Sequence, residues 1–221
     1  MSDLHLVIGN RNYSSWSLRP WLALKATGLP FSETVLNLYT DETTAWLAAT
    51  SPNRKVPLLE VGTLKIWDSL AIIEYLAELA PAAGLWPEDA TARAIARSVS
   101  AEMHAGFQAL RQHLGMNIRK RFPGYPVPAA ALADIDRVQA LWADCRARFG
   151  AGGPFLFGAF SAADCMYAPV VTRFVTYDVA LTPAAQAYVE AMVAQPWLAE
   201  WSVAAEQEAW VIEKFEATWP A

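Results

Sequence analysis

The chain has 221 residues, 54% of them hydrophobic and 18% charged, and its 22 acidic side chains outnumber 17 basic ones for a net charge of −5. It is too apolar for a disordered chain, long enough for one large or two small domains, and lacks the basic surface that a nucleic-acid partner requires. No segment reaches the ~20 uninterrupted apolar residues of a membrane helix, no secretory signal opens the chain, and two cysteines make neither a disulfide framework nor a metal cluster, so a cytoplasmic protein with no membrane partner and no metal is expected.

Short apolar runs alternate with helical patterns in the first 80 residues. Residues 4–8 (LHLVI) read as a buried strand, 21–27 as part of a helix stopped at Gly28, and 31–38 as a second strand. A helical pattern around residues 43–49 follows, and then 56–61 and 64–66 flank Gly62-Thr63 as a hairpin. Residues 68–79 are helical, with Leu70, Ile73, Leu76 and Ala77 on one face. The order βαβαββα is that of an α/β thioredoxin-like domain, predicted over residues 1–80. The segment PAAGLWPE at 81–88 breaks the pattern and reads as a linker. From 89 to 221 the chain reads as an all-α bundle, with helices at 90 to about 119, 129–149, 162–177, 183–194 and 196–207.

Ser161 and Asp164 have the spacing of a capping box, in which each side chain serves the other residue's amide. Three further places carry polar groups suited to chemistry. The first is the turn after the first strand, where Ser14, Ser15 and Ser17 precede Pro20; a proline is harmless only in the first turn of a helix, so Ser17 reads as the cap and the hydroxyls of Ser14 and Ser15 stay free to face a ligand. His5 lies on the strand, His104 and His113 lie far along the chain, and G-x-S-x-G is absent, so a Ser-His-Asp hydrolase has little support. The second is Lys55-Val56-Pro57, where a proline opens a strand and, from residue type alone, a trans bond is expected. The third is Asp68-Ser69 at a helix start, most simply a cap.

Taken together, Ser14-Ser15-x-Ser17-x-Arg19, Lys55-Val56-Pro57, Asp68-Ser69 and Gly158-x-x-Ser161-x-x-Asp164 resemble the cytosolic glutathione transferases over nearly the whole chain, and the serine turn is most similar to the zeta class. Trp16 stands where that class has a cysteine, which disfavours cysteine-based reduction. The resemblance implies a thioredoxin-like domain followed by a helical bundle, glutathione as cofactor, a small electrophile as substrate, and a symmetric homodimer. It assigns Ser14, with Ser15 as runner-up, to donate a hydrogen bond to the glutathione sulfur. It further implies a cis Val56-Pro57 bond that presents Val56 to the tripeptide backbone as an added strand, Lys55 facing the glycyl carboxylate, and Asp68 and Ser69 taking the γ-glutamyl end. Three functions follow: conjugation to small apolar electrophiles, isomerisation of the maleylacetoacetate type, or binding without turnover.

Met103, Phe107, Leu110 and Leu114 form an apolar stripe that reads mainly as core, while His104, Gln108 and Arg173 are candidates to approach a substrate. Arg119-Lys120-Arg121 reads as a helix end, and Trp210, Phe215 and Trp219 as a tail that either covers the cleft or seals the helical half.

Overall fold

The structure, a computed structural model, describes residues 3–216; Trp219 of the expected tail lies outside the described residues. Strand β1 (Leu4–Gly9) runs parallel to β2 (Phe31–Leu36) and antiparallel to β3 (Leu58–Val61), and β3 pairs antiparallel with β4 (Leu64–Trp67), giving the order β2-β1-β3-β4. Leu6, Val7 and Ile8 are all fully buried, so β1 is covered on both faces, which is why it reads as an unbroken apolar run. Between the strands lie α1 (Ser15–Thr27) and α2 (Asp41–Thr50), and α3 (Ser69–Leu79) follows the hairpin. The expected βαβαββα order is therefore present. Gly28 ends α1 at φ 68°, a left-handed conformation that needs no Cβ.

The rest of the described chain is helical: α4 (Ala90–Ala105), α5 (Gln108–His113), α6 (Ala129–Phe149), α7 (Ala162–Thr176), α8 (Pro183–Val193) and α9 (Pro196–Gln207). The single helix expected from 90 to about 119 is instead two. Phe107 takes φ 54° and buries its ring, and Asp134 of α6 accepts the Leu110 amide at 2.9 Å, so α5 restarts in a new direction. Nor does α5 reach the basic run: the Leu114 carbonyl accepts from Arg173 Nε at 2.7 Å rather than from a further turn of helix.

Helix α7 is the axis of this half, buried along nearly its whole length and packed on both α1 and α4. Trp142 of α6 lies against Tyr167, Phe174 and Tyr188, the nearest ring centroid 4.7 Å away. The capping box at the head of α7 forms. Asp164, fully buried, accepts from the Ser161 amide and hydroxyl (both 2.8 Å), the Tyr188 hydroxyl (3.0 Å) and the Leu156 amide (3.1 Å). Burial nevertheless pushes its carboxyl up to about 6, because desolvation outweighs those four donors.

One buried amide pair ties the two halves together. Asn12, in the β1–α1 turn, donates from Nδ2 to Asn117 Oδ1 at 2.9 Å and accepts the Arg119 amide on its own Oδ1 at 3.0 Å.

Candidate active site

The β1–α1 turn is fixed by its backbone before any side chain faces the cleft. The Asn10 carbonyl accepts from the amides of Tyr13 (3.2 Å) and Ser14 (2.8 Å), and Asn10 Oδ1 accepts from Leu38 N at 2.8 Å. Helix α1 begins at Ser15 with Ser14 in the cap position, one turn earlier than the Ser17 cap expected from Pro20. The reason is local: the Ser14 carbonyl already receives the amides of Ser17 and Leu18, both at 3.2 Å, so helical bonding starts there and Pro20 sits inside the helix. Such a proline deprives the Trp16 carbonyl of its usual partner.

The Ser14 side chain does not cap α1. Its oxygen lies 2.7 Å from that of Ser17, whose hydroxyl is fully buried and accepts the Gly9 amide at 3.0 Å. Ser14 and Ser15 both line the principal cleft, a space of about 730 Å³. One wall of it also carries Trp16, Lys55 and Val56; the other comes from Gln108 and Arg111 of α5 and Arg173 of α7.

The Val56-Pro57 bond is cis, as the resemblance implies and against the trans form expected from residue type. Lys55 is exposed, and its backbone is held by Asn53 and Ser51. Pro57 is buried beneath the cleft edge. Asp68 and Ser69 are not part of the cleft lining. Asp68 stands at φ 76° as the cap of α3, with Oδ1 accepting the Leu70 amide at 2.9 Å and Oδ2 3.3 Å from His104 Nε2. His104 meets the edge of Trp16 at 5.3 Å, so Asp68 connects to the cleft through these two rings. Ser69 is 1% exposed, and its hydroxyl is without a partner among the described residues.

The apolar stripe is core: Met103, Phe107, Leu110 and Leu114 are all buried and outside the cleft lining, whereas Gln108 is on it. Arg173, a candidate from the sequence, does line the cleft, and what residue patterning missed is that it belongs to a cluster of cations with Arg19 and Arg111. The Arg19 guanidinium lies 4.2 Å from the centre of the Trp16 ring, and that of Arg111 5.5 Å. Arg19 is fully buried with all three guanidinium nitrogens unpaired among the described residues, and Arg173 Nη1 and Arg111 Nε are likewise unpaired. Burial and then the neighbouring Arg173 and Arg111 push Arg19 down to about 9; burial and Arg111 push Arg173 down to about 10. The only hint of Arg111 in the sequence is its place three residues after Gln108, on the same helix face.

Arg119, expected at a helix end, instead holds the C-terminal segment: its guanidinium donates to the Tyr13 hydroxyl and the Trp210 carbonyl, each at 2.9 Å, and to the Glu208 carbonyl. Tyr13 also bonds Glu216, and Phe215 joins the cleft lining, so the tail does reach the cleft. Cys145 and Cys165 are buried, and desolvation raises both thiols, Cys145 to about 11, which makes them poor nucleophiles. Among the described residues no acidic, histidine and cysteine side chains gather as a metal site, and no helix is long and apolar enough to cross a membrane.

Comparison with known proteins agrees with this geometry. The chain is 36% identical over 104 residues to maleylacetoacetate isomerase of Mus musculus and 38% identical over 100 residues to a probable maleylacetoacetate isomerase of Caenorhabditis elegans. These alignments take in 46% and 45% of this chain and 47% and 46% of the relatives, so the chain spans about half the length of the curated relatives it matches. Among solved structures it is similar to a Burkholderia glutathione transferase homolog with bound glutathione (TM-score 0.70, 23% identity, 93% of this chain and 98% of that one). It is also similar to glutathione transferase Omega 2S of Trametes versicolor (TM-score 0.72, 19% identity, 98% and 100%). Residues 13–79 match the family description of the glutathione S-transferase N-terminal domain and residues 88–204 that of the C-terminal domain. The chain belongs to the glutathione S-transferase family.

Proposed function

We propose that this protein is a serine-type glutathione transferase that binds glutathione, holds its sulfur as the thiolate with the Ser14 hydroxyl, and adds it to a small electrophile. The observation that carries the reading is Ser14 itself: a hydroxyl on the cleft wall, at the head of a helix, spent on no cap and braced from behind by Ser17. A free thiol has a pKa of about 8.5, leaving a few per cent ionised at neutral pH. A hydrogen bond to a charged acceptor contributes about 1.5–3 kcal/mol and a helix amino terminus about 0.3–1 kcal/mol. Together they lower the thiol pKa by about 1.3–3, enough to ionise about 40% or more of the bound thiol at pH 7. The proton leaves to solvent, so no general base is required.

Val56, half-buried on the cleft wall, is the pairing edge for the tripeptide, and Lys55 faces its glycyl carboxylate. Asp68 and Ser69, which stand off the cleft lining, take the γ-glutamyl end, where Asp68 exchanges His104 for the ligand's ammonium group and the buried Ser69 hydroxyl, without a partner among the described residues, gains one. In this reading residues 1–80 form the thioredoxin-like tripeptide-binding domain, 81–88 the linker and 89–221 the helical domain that supplies the electrophile wall. We extend it to a homodimer, since the edge strand β4 leaves Leu64 and Trp67 about half exposed; sedimentation at micromolar concentration tests that extension.

Ultraviolet titration of bound glutathione thiolate, in wild type and Ser14→Ala, tests the mechanism. The variant raises the pKa; the same value in both removes Ser14, and a parallel Ser15→Ala titration then assigns the role to Ser15 or to neither.

One observation favours a second reading, that the turnover is isomerisation of an acidic substrate of the maleylacetoacetate type. Arg111 and Arg173 place positive charge on the electrophile wall with no salt bridge among the described residues. Such a wall suits a carboxylate better than a neutral apolar molecule. Turnover of a cis-configured diketo acid that depends on glutathione, set against conjugation to a chlorinated nitrobenzene, separates the two. Retention on immobilised glutathione with neither turnover leaves a binding protein.

A further inference from the structure

A buried hydroxyl has one proton to give and oxygen lone pairs to fill, and interior polar groups are rarely left unmatched. Ser17 is fully buried; its oxygen already accepts the Gly9 amide at 3.0 Å, and the Ser14 oxygen at 2.7 Å is the acceptor at hand for its proton. If Ser14 donated inward instead, the Ser17 proton would stay in the interior without a partner. The satisfied arrangement thus has one direction: Gly9 N–H to Ser17, Ser17 O–H to Ser14, and Ser14 O–H outward to the cleft. We propose that Ser17 is a positioning residue that fixes the Ser14 hydroxyl as a donor to the sulfur and so lowers the pKa of the bound thiol. The inference rests on the reading of Ser14 given above.

Two physical effects follow from that direction. A free hydroxyl can serve a thiolate as a donor or a neutral thiol as an acceptor, which favours neither. With the Ser17 proton bound to its oxygen, Ser14 turns its own proton outward and discriminates in favour of the charged form. Hydrogen bonds in series also polarise one another. The series is anchored at its far end on the backbone of β1, where a Cβ on Gly9 would come within 2.5 Å of Leu38 Cδ1, so the strand end is packed in place. Ser14 in the cap position and Ser17 in the first turn of α1, three residues apart, bring their oxygens together.

The test is the thiolate titration of bound glutathione in wild type, Ser14→Ala, Ser17→Ala, Ser17→Thr and the double variant, with glutathione affinity measured alongside. Ser14→Ala raises the thiol pKa by about 1–2, and Ser17→Ala by about 0.5, with affinity, measured at a pH below the bound-thiol pKa, changed less than about twofold. Ser17→Thr, which keeps the hydroxyl, returns close to wild type. The double variant matches Ser14→Ala, because Ser17 acts only through Ser14. An unchanged pKa in Ser17→Ala beside a raised one in Ser14→Ala overturns the role of Ser17 and leaves Ser14 standing. No change in Ser14→Ala sinks the serine mechanism itself. A Ser17→Thr value equal to that of Ser17→Ala, or a double variant above Ser14→Ala, also overturns the proposal. Should Ser17→Ala be too unstable to titrate with its Gly9 amide orphaned, Ser17→Cys, a poorer donor of similar shape, replaces it with the same expected direction.

Discussion

Helices α1 and α7 both begin beside a serine, and their hydroxyls have opposite uses. At α7, Ser161 is enclosed by Asp164, which also takes Tyr188 and Leu156, and the whole group is sealed from water. At α1, the Ser14 backbone forms the helix start while its side chain is withheld from capping and turned to the cleft. A serine consumed by the fold is a stability element; a serine whose structural duty is met by its backbone is free to do chemistry. The contrast depends on whether a neighbouring carboxylate claims the hydroxyl, and the sequence around Ser14 supplies another serine instead.

The largest expected effect tests the α7 side. Asp164→Ala strands several buried donors at once and destabilises the protein by about 3–5 kcal/mol in urea unfolding. Bound-thiol pKa in whatever fraction folds stays at the wild-type value, and a shift there would break the separation of roles. Next comes pH. With its carboxyl pushed up to about 6 in the folded state, Asp164 keeps a proton that the unfolded chain has lost above pH about 4, so this group makes stability fall as pH rises from about 4 to 6, by at most about 3 kcal/mol. Unfolding of wild type and Asp164→Asn across that window checks it, the asparagine variant giving the flatter profile.

On the cleft side, Arg111→Met weakens inhibition by maleate about tenfold, the loss of one charge-assisted contact of about 1.4 kcal/mol, with glutathione affinity unchanged. Equal inhibition in both proteins removes Arg111 from the substrate wall. The smallest effect sharpens the comparison most. A capping serine replaced by alanine costs about 1 kcal/mol, but in a Ser17→Ala background, where no buried hydroxyl is left to orphan, Ser14→Ala costs less than about 0.5 kcal/mol, because its side chain caps nothing. A thermal shift of the size seen for ordinary caps would mean that Ser14 is a second Ser161.

Where local chemistry decided the outcome, the sequence was readable. Strand β1 showed itself by its apolar run, α6 (Ala129–Phe149) and α9 (Pro196–Gln207) by their period and their flanking Pro and Gly, and the α7 box by Ser161 and Asp164. Where distant residues decided it, the reading failed. The break at Phe107 is set by Asp134 of another helix, and the end of α5 by Arg173 from a third. Of the candidate residues, Ser14, Ser15, Lys55 and Val56 come to line the cleft, and each pair is contiguous in the chain, whereas Asp68 and Ser69 stand off that lining. Arg173 was named singly, but its grouping with Arg19 and Arg111 was not, since Arg19 and Arg111 meet at Trp16, with Arg173 as a charged neighbour, only after both halves have folded.

The Asn12–Asn117 bridge makes the two halves of this protein a matched set. The Asn12 side chain of the β1–α1 turn donates to Asn117 and accepts the Arg119 amide, both on one loop of the helical half, and the Asn117 carbonyl in turn accepts the Thr176 hydroxyl at the end of α7. A chimera that joins this sheet to the helices of a relative without that loop would retain Ser14, Ser15, Lys55 and Val56 of the cleft lining, yet would set the turn bearing Ser14 adrift. Exchange of either half therefore has to carry Asn117 along with Asn12.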